Sequence, residues 1–165
     1  MGQDASGKIK SWFANPTRNQ IEKFHQLLTE TYRRHAGTDL TDPIKTLNAI
    51  FSGMPESAGL VVLHNGDDWI AAALCFVHKK TFTACYPGMM MTAALKPLNL
   101  RLNLYCACIE QAFKLKCTHM EFGRTGYDYK AKLGIQKCLT PTLVKAYGRK
   151  ASKIYDSFDE LRERQ

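Results

Sequence analysis

Hydrophobic and polar residues recur with a helical period in the first part of the chain. Apolar positions between residues 21 and 32 are spaced by three and four, which predicts a helix that begins near Pro16 and ends at Gly37. A second helix is predicted between residues 41 and 53, because its apolar positions repeat in the same way and a proline follows its capping residues. The chain therefore begins with two amphipathic helices.

The period changes to that of β-strands after the second helix. Residues 59–64 are rich in β-forming side chains, and Asn65-Gly66-Asp67-Asp68 is a clear hairpin signal. Residues 69–78 are almost wholly apolar, which predicts a strand that is buried on both faces, and residues 81–86 predict a third strand. Together these segments predict a meander of three strands.

The remaining pattern predicts a long helix, a strand, a short helix and a last strand. The long helix covers residues 98–113, a strand at residues 118–122 follows it, and the last strand is predicted at residues 138–146, before a charged C-terminal helix. This order predicts an α+β fold, with a mixed, mostly antiparallel sheet that carries helices on both faces and encloses one core.

Size and charge limit the kinds of protein that fit. We expect residues 1–14 to be a flexible N-terminus, with Trp12-Phe13 as a short strand or anchor, and residues 15–165 to form a single domain. The net charge of +8 favours an anionic partner, although the basic residues are scattered rather than concentrated. The longest apolar run, residues 70–77, is too short to span a bilayer, so we expect no membrane association.

The six cysteines do not form a metal site by their spacing. Most lie inside apolar segments, no two have Cys-x-x-Cys spacing, and no histidine pair has the spacing of zinc ligands. We expect them to be reduced core thiols of a cytoplasmic protein without a metal, and all six to be free.

The segment Glu121-Phe122-Gly123-Arg124-Thr125-Gly126 joins a predicted strand to the predicted short helix. Its two glycines bracket two polar residues, so backbone amides are expected to be exposed where the helix begins and an anion can bind. Tyr127, Lys130 and Gly134 share one helical face by their spacing. From the residues alone, an ordinary strand, turn and short helix is the favoured interpretation, and an anion site is the alternative.

The order of these elements resembles the GNAT acyltransferase superfamily, whose sheet splays open between its fourth and fifth strands to admit acyl-coenzyme A. The segment around Gly123 also resembles GNAT-like domains related to Fem-type peptidyltransferases. Those domains carry an acidic residue, Phe-Gly-Arg-Ser and then Tyr-x-Phe-Lys-x-x-x-Gly. The same slots here hold Glu121-Phe122-Gly123-Arg124-Thr125, then Tyr127-Asp128-Tyr129-Lys130 and Gly134. The resemblance covers residues 17–148 and includes the start of the long helix at Lys96-Pro97-Leu98-Asn99-Leu100.

The resemblance implies an N-acyltransferase that moves an acyl group from acyl-coenzyme A, for example acetyl-coenzyme A, to a small-molecule amine or a peptide, with no tightly bound cofactor. It also implies that the sheet opens beside residues 85–88 and 118–122. The Gln/Arg-x-x-Gly-x-Gly/Ala loop of the superfamily is absent, and residues 93–96 occupy its place. The residues expected to bind the coenzyme, besides backbone amides, are Lys96, Arg101, Arg124, Thr125 and Lys130.

Acyl transfer to an amine needs a base for the ammonium proton and an acid for the leaving thiolate. Glu121 is the candidate base, and a structural salt bridge to Arg124 is an equally weighted alternative. Tyr127 and Tyr129 are the candidate acids, although core packing explains tyrosines at those spacings as well. For Lys130, the alternative to an anion site is a solvated helix residue.

Tyr86 and Met89 are expected to contact the substrate near the opening of the sheet, while core filling is the alternative for the methionine triplet at residues 89–91. Two other functions remain open. Fem-type enzymes use aminoacyl-tRNA, so a tRNA-dependent transferase is one alternative. A non-catalytic GNAT-like binding module, as half of a tandem protein or as a homodimer, is the other.

Overall fold

The computed structural model describes residues 10–36, 43–90, 92, 95, 98–123 and 127–136, with residues 10, 35, 36, 43 and 127 described by their backbone only. All of these residues except Gln136 belong to one compact unit, Met1–Ile135. The predicted last strand at residues 138–146 and the C-terminal helix lie outside the described residues.

The helices and strands follow one another in nearly the order that the hydrophobic pattern predicts. They follow in the order β1 (Lys10–Phe13), α1 (Arg18–Ala36), α2 (Pro43–Gly53), β2 (Ala58–Asn65), β3 (Asp68–His78), β4 (Thr81–Met89), α3 (Leu100–Lys114), β5 (His119–Phe122) and α4 (Tyr127–Ala131). The short strand expected at Trp12-Phe13 is confirmed, so regular structure begins before residue 15.

Tight turns bring the central strands together in the order in which the chain makes them. The sheet has the order β1-β2-β3-β4-β5. Asn65 pairs with Asp68 across a two-residue turn in which Gly66 has a φ of 61°, as the hairpin signal predicts. Strands β1 to β4 pair antiparallel, whereas β5 pairs with β4 in parallel because α3 carries the chain back to the same edge. The mixed, mostly antiparallel sheet is thereby confirmed.

Two hydrophobic cores lie on opposite faces of this sheet. Alternate residues of β2 divide between them: Leu60 and Val62 pack with α1 and α2, and Val61 and Leu63 pack with α3. Helices therefore cover both faces, as expected. The apolar pattern of the long helix predicts that Phe113 packs in the core. That prediction was wrong, because Phe113 is 74% exposed.

A close contact joins α1 to β4. The backbone N–H of Met89 donates a hydrogen bond to Thr31 Oγ1 at 2.8 Å, and the Thr31 hydroxyl donates to the carbonyl of Leu27 at 2.9 Å. At Gly88, a Cβ atom would lie 2.7 Å from the backbone nitrogen of Leu28, so only glycine lets the strand approach the helix this closely. This contact places α1 beside the end of β4.

Candidate functional site

Strand β4 is longer than its pairing with β5. The parallel ladder begins at Thr81 and His119 and ends at Ala84 and Phe122, while β4 continues to Met89. The half of β4 beyond Ala84 is therefore not paired with β5. The expected opening beside residues 85–88 is confirmed, whereas the opening expected beside residues 118–122 was wrong, because residues 119–122 pair with β4 along the whole length of β5.

A β-bulge lies in the part of β4 that β5 leaves uncovered. Leu74 of β3 pairs with Cys85 and Ala73 pairs with Pro87, so Tyr86 is the extra residue without a partner on β3. Its φ is 40°, a left-handed conformation that is uncommon for a bulky side chain. The side chain of Tyr86 is 54% exposed. The bulge thus bends β4 just beyond Ala84, where its pairing with β5 ends.

The opening of the sheet leads into a cavity of about 830 Å³, which we call the cleft. Side chains and backbone from α1, β3, β4, α3, β5 and α4 surround it. The described lining residues are Thr31, Tyr32, Ala73, Ala84, Cys85, Tyr86, Pro87, Arg101, Tyr105, Cys108, Phe122, Gly123 and Lys130. A volume of this size matches the usual range for small-molecule sites in proteins.

The charged side chains in the described lining of the cleft are both cationic. Arg101 lies in the first turn of α3, and its guanidinium is 5.4 Å from the centre of the Tyr129 ring. Burial lowers the pKa of the Lys130 amine, and the neighbouring charge of Arg101 lowers it further. Two cations at one wall of a cleft attract an anionic group of a ligand.

Lys130 is buried, with 5% exposure, although its sequence position suggested a solvated helix residue as the alternative to an anion site. Its Nζ donates hydrogen bonds to the carbonyl oxygens of Phe122 at 2.6 Å and Gly123 at 2.5 Å. The solvated-residue alternative is therefore wrong. Lys130 joins α4 to the end of β5, and it does so at the wall of the cleft.

Tyr105 is a buried polar side chain of the cleft. Its ring makes an edge contact with Phe122, with 5.0 Å between ring centres. Burial raises the pKa of the Tyr105 hydroxyl, which the nearby positive charge of Arg101 only partly offsets. This tyrosine therefore stays protonated at neutral pH and can donate a proton or a hydrogen bond.

Glu121 lies on the opposite face of the sheet from these cations. Its neighbour Phe122 packs into the core under α3, and side chains alternate along a strand, so Glu121 points to the face that carries α1 and α2. It is within 3.4 Å of Thr83 Oγ1, on the adjacent strand. Burial and then the Glu121 carboxylate raise the pKa of the Cys85 thiol, which lies in the lining of the cleft. The carboxylate is therefore close to the cleft but exposed.

The structure brings together only some of the residues singled out in the sequence. Tyr86, Arg101 and Lys130 meet in the lining of the cleft, and Tyr129 contacts Arg101 at 36% exposure. Met89 is buried at the end of β4, with 2% exposure, and is not among the described lining residues. The side chain of Tyr127 is not described, and Lys96, Arg124 and Thr125 lie outside the described residues.

Sequence reasoning missed four polar groups of the lining: Thr31, Tyr32, Tyr105 and Cys108. For the last two a signal was present, because Arg101, Tyr105 and Cys108 follow one another at spacings of four and three on one face of α3. No comparable signal existed for the pair on α1. Its place beside the cleft depends on how α1 packs against β4.

The described part of the chain has neither a metal site nor a membrane-spanning helix. No group of three or more His, Cys, Asp or Glu side chains there has the arrangement of a metal site. None of the described helices has both the length and the apolar composition needed to cross a membrane.

The fold and the cleft define an α+β protein whose sheet opens between β4 and β5, beside a cleft of the size of small-molecule sites. Residues 5–131 match the family described as Acetyltransferase (GNAT) domain, which is most of the 165-residue chain. The chain belongs to this family. The narrower relation to Fem-type domains stays a prediction. A search of curated proteins found no match.

Solved structures support the same fold. A predicted acetyltransferase from Clostridium acetobutylicum, solved with acetyl-CoA, is similar at 9% identity and a TM-score of 0.64, covering 84% of this chain and 96% of that chain. A possible acetyltransferase from Clostridium difficile 630 is similar at 9% identity and 0.59, covering 86% and 99%. The aminoglycoside N-acetyltransferase AAC(6')-Iy in complex with CoA is similar at 9% identity and 0.58, covering 87% and 98%. At these identities the likeness establishes the GNAT fold.

Proposed function

We propose that the chain is an N-acyltransferase that uses an acyl-coenzyme A, with acetyl-coenzyme A as the first candidate, to acylate an amine. The observation that carries this proposal is the half of β4 that β5 leaves uncovered, which faces a cleft with a guanidinium in its wall. An extended ligand that contains amide groups can pair with an open strand edge as a peptide does. The pantetheine arm of coenzyme A has two such amides, and its phosphates are anions that arginine binds well.

The two faces of the sheet suggest which way each substrate enters. Arg101 and Lys130 lie on the face of α3, so the anionic donor is proposed to enter from that side. Glu121 points to the face of α1 and α2, where it is proposed to take the proton of an incoming ammonium group. The amine nitrogen then attacks the thioester carbonyl, the carbon–sulfur bond breaks and the thiolate leaves. The thiolate accepts a proton from an acid in the cleft, and the nitrogen loses its second proton, which restores that acid.

The described tyrosine best placed to protonate the leaving thiolate is Tyr105, because it is buried in the wall of the cleft and its hydroxyl stays protonated. Tyr127 and Tyr129 remain the candidates that the motif suggests. The proposed donor-binding set also keeps Lys96, Arg124 and Thr125. Tyr86 remains the proposed substrate contact, whereas the burial of Met89 in the core favours the core-filling alternative for that residue.

The proposal is tested by calorimetric titration of the protein with acetyl-coenzyme A. We expect Arg101→Ala to weaken binding by roughly 10- to 150-fold, the factor that corresponds to a charged hydrogen bond of about 1.5–3 kcal/mol. Arg101→Lys keeps the charge and should lose less. Arg18→Ala is the matched control, because Arg18 is 89% exposed on α1 and pairs with Glu22 away from the described lining. Wild-type protein that binds neither acetyl-coenzyme A nor a longer acyl-coenzyme A would refute the proposal, and binding of deacylated tRNA instead would favour the tRNA-dependent alternative.

A further inference from the structure

One amine holds the last carbonyl group of β5 and the carbonyl group of the residue that follows it. Lys130 Nζ binds the carbonyl oxygens of Phe122 and Gly123 at once. In a continuing strand, successive carbonyl groups point to opposite sides, one toward the neighbouring strand and one away from it. A single amine can reach both only where the chain has left strand geometry. The pairing of β5 with β4 ends at this same residue, Phe122.

Without that amine, the register of the ladder could continue. Phe122 pairs with Ala84, so an extended β5 would bring Gly123 beside Cys85 and the following residue beside Tyr86. Carbonyl groups of β5 would then accept hydrogen bonds from amides of β4, and the cleft would be narrowed at the bulge. The buried carbonyl group of Phe122 needs a hydrogen-bond partner, so the direction in which it points depends on which donor is nearby.

We propose that Lys130 is a positioning residue, which holds the end of β5 away from β4 and so keeps the β4 backbone beside the bulge open to a ligand. The burial of Lys130 supports this role, because the ammonium group of a residue with 5% exposure needs hydrogen-bond acceptors close by, and these two carbonyl groups are such acceptors. The identity of that ligand rests on the proposed function, whereas the separation of β5 from β4 does not rest on it.

The experiment is hydrogen exchange of the full chain without ligand, followed by NMR at the amides of Cys85, Tyr86 and Gly88. The variants are Lys130→Met, which keeps the length and apolar character of the side chain but removes the donor, and Lys132→Met. Lys132 is an exposed residue just beyond α4 and serves as the matched control.

We expect Lys130→Met to slow exchange at one or more of these amides by about fivefold, the factor for one net backbone hydrogen bond of about 1 kcal/mol. Lys132→Met should leave them at the wild-type rate. The direction of the change is decisive, because a lysine that only stabilised the fold would, when removed, make these amides exchange faster. Unchanged or faster exchange in a folded Lys130→Met protein would overturn the proposal.

Lys130→Gln replaces the methionine variant if that variant does not fold. Its amide nitrogen lies one bond closer to the backbone and loses at least one of the two carbonyl groups, so slower exchange is again expected, and unchanged or faster exchange again overturns the proposal. Titration of the same proteins with acetyl-coenzyme A separates the two proposals. A wild-type protein that binds no acyl-coenzyme A, while Lys130→Met still slows exchange, refutes only the proposed function. Binding without slowed exchange refutes only the role of Lys130.

Discussion

Replacing Thr31 with valine removes one oxygen atom from the contact between α1 and β4 and leaves the shape of the side chain almost unchanged. The Thr31 hydroxyl is the acceptor for the Met89 N–H at 2.8 Å, and the residue is only 7% exposed. Valine cannot accept this hydrogen bond, so a buried N–H group loses its partner. Such a loss costs about 1–3 kcal/mol of the free energy of unfolding. For a chain of this size it lowers the melting temperature by about 2 to 12 °C.

The assay is equilibrium unfolding in guanidinium chloride, with the free energy of unfolding compared between wild type, Thr31→Val and Thr29→Val. Thr29 is a suitable control because it lies on the same helix and its hydroxyl makes, with the described residues, only a long contact, 3.4 Å to His25 Nε2. We expect Thr29→Val to remain within about 0.5 kcal/mol of wild type. A Thr31→Val protein that is also within that limit would show that the hydroxyl does not hold Met89, and the reasoning about the α1–β4 contact would be refuted.

Two further predictions concern titratable groups. Cys85 lies in the cleft, and burial and then Glu121 raise the pKa of its thiol. We therefore expect its alkylation by iodoacetamide to accelerate only at a pH above the usual pKa of a thiol, and to slow when acetyl-coenzyme A is bound. Mass spectrometry should show no such protection at Cys106, and equal protection of both cysteines would contradict the proposed site. Burial, with a smaller effect of Lys23, lowers the pKa of His64 below 6.5, so its contribution to stability is present above pH 6.5 and is lost as pH falls through the folded-state pKa. Urea unfolding at pH 7 and pH 5 should therefore show a larger loss of stability for wild type than for His64→Phe, and equal losses would contradict this assignment.

The order of elements could be predicted from the sequence because each depends on local signals. The turn at Asn65–Asp68 needs only the asparagine and glycine that favour it, and the bounds of α1 follow from Pro16 and an apolar period. The bulge at Tyr86 had no such signal. A tyrosine with a φ of 40° is not favoured by its own side chain, so its conformation depends on the strands around it.

The candidate site was predicted less completely for a related reason. Arg101 and Lys130 were found because their charges stood beside a recognisable motif. Lysine is rarely buried, so no feature of the sequence indicates that the Lys130 amine binds backbone carbonyl groups. Thr31 was missed because its partner, Met89, is distant in sequence, and only the packing of α1 on β4 brings the two together.

The strand order of the sheet has a consequence for how the cleft is made when the protein folds. Strands β2, β3 and β4 are joined by two-residue turns, so their pairing closes very short loops. Strand β5 can join only after the chain has passed through α3, which makes it the entropically costly addition to β4. The wall of the cleft that β5 and Lys130 provide thus depends on a pairing between segments that are distant in the chain, as the pairing of β1 with β2 also does. The two hairpins formed by β2, β3 and β4 do not depend on it.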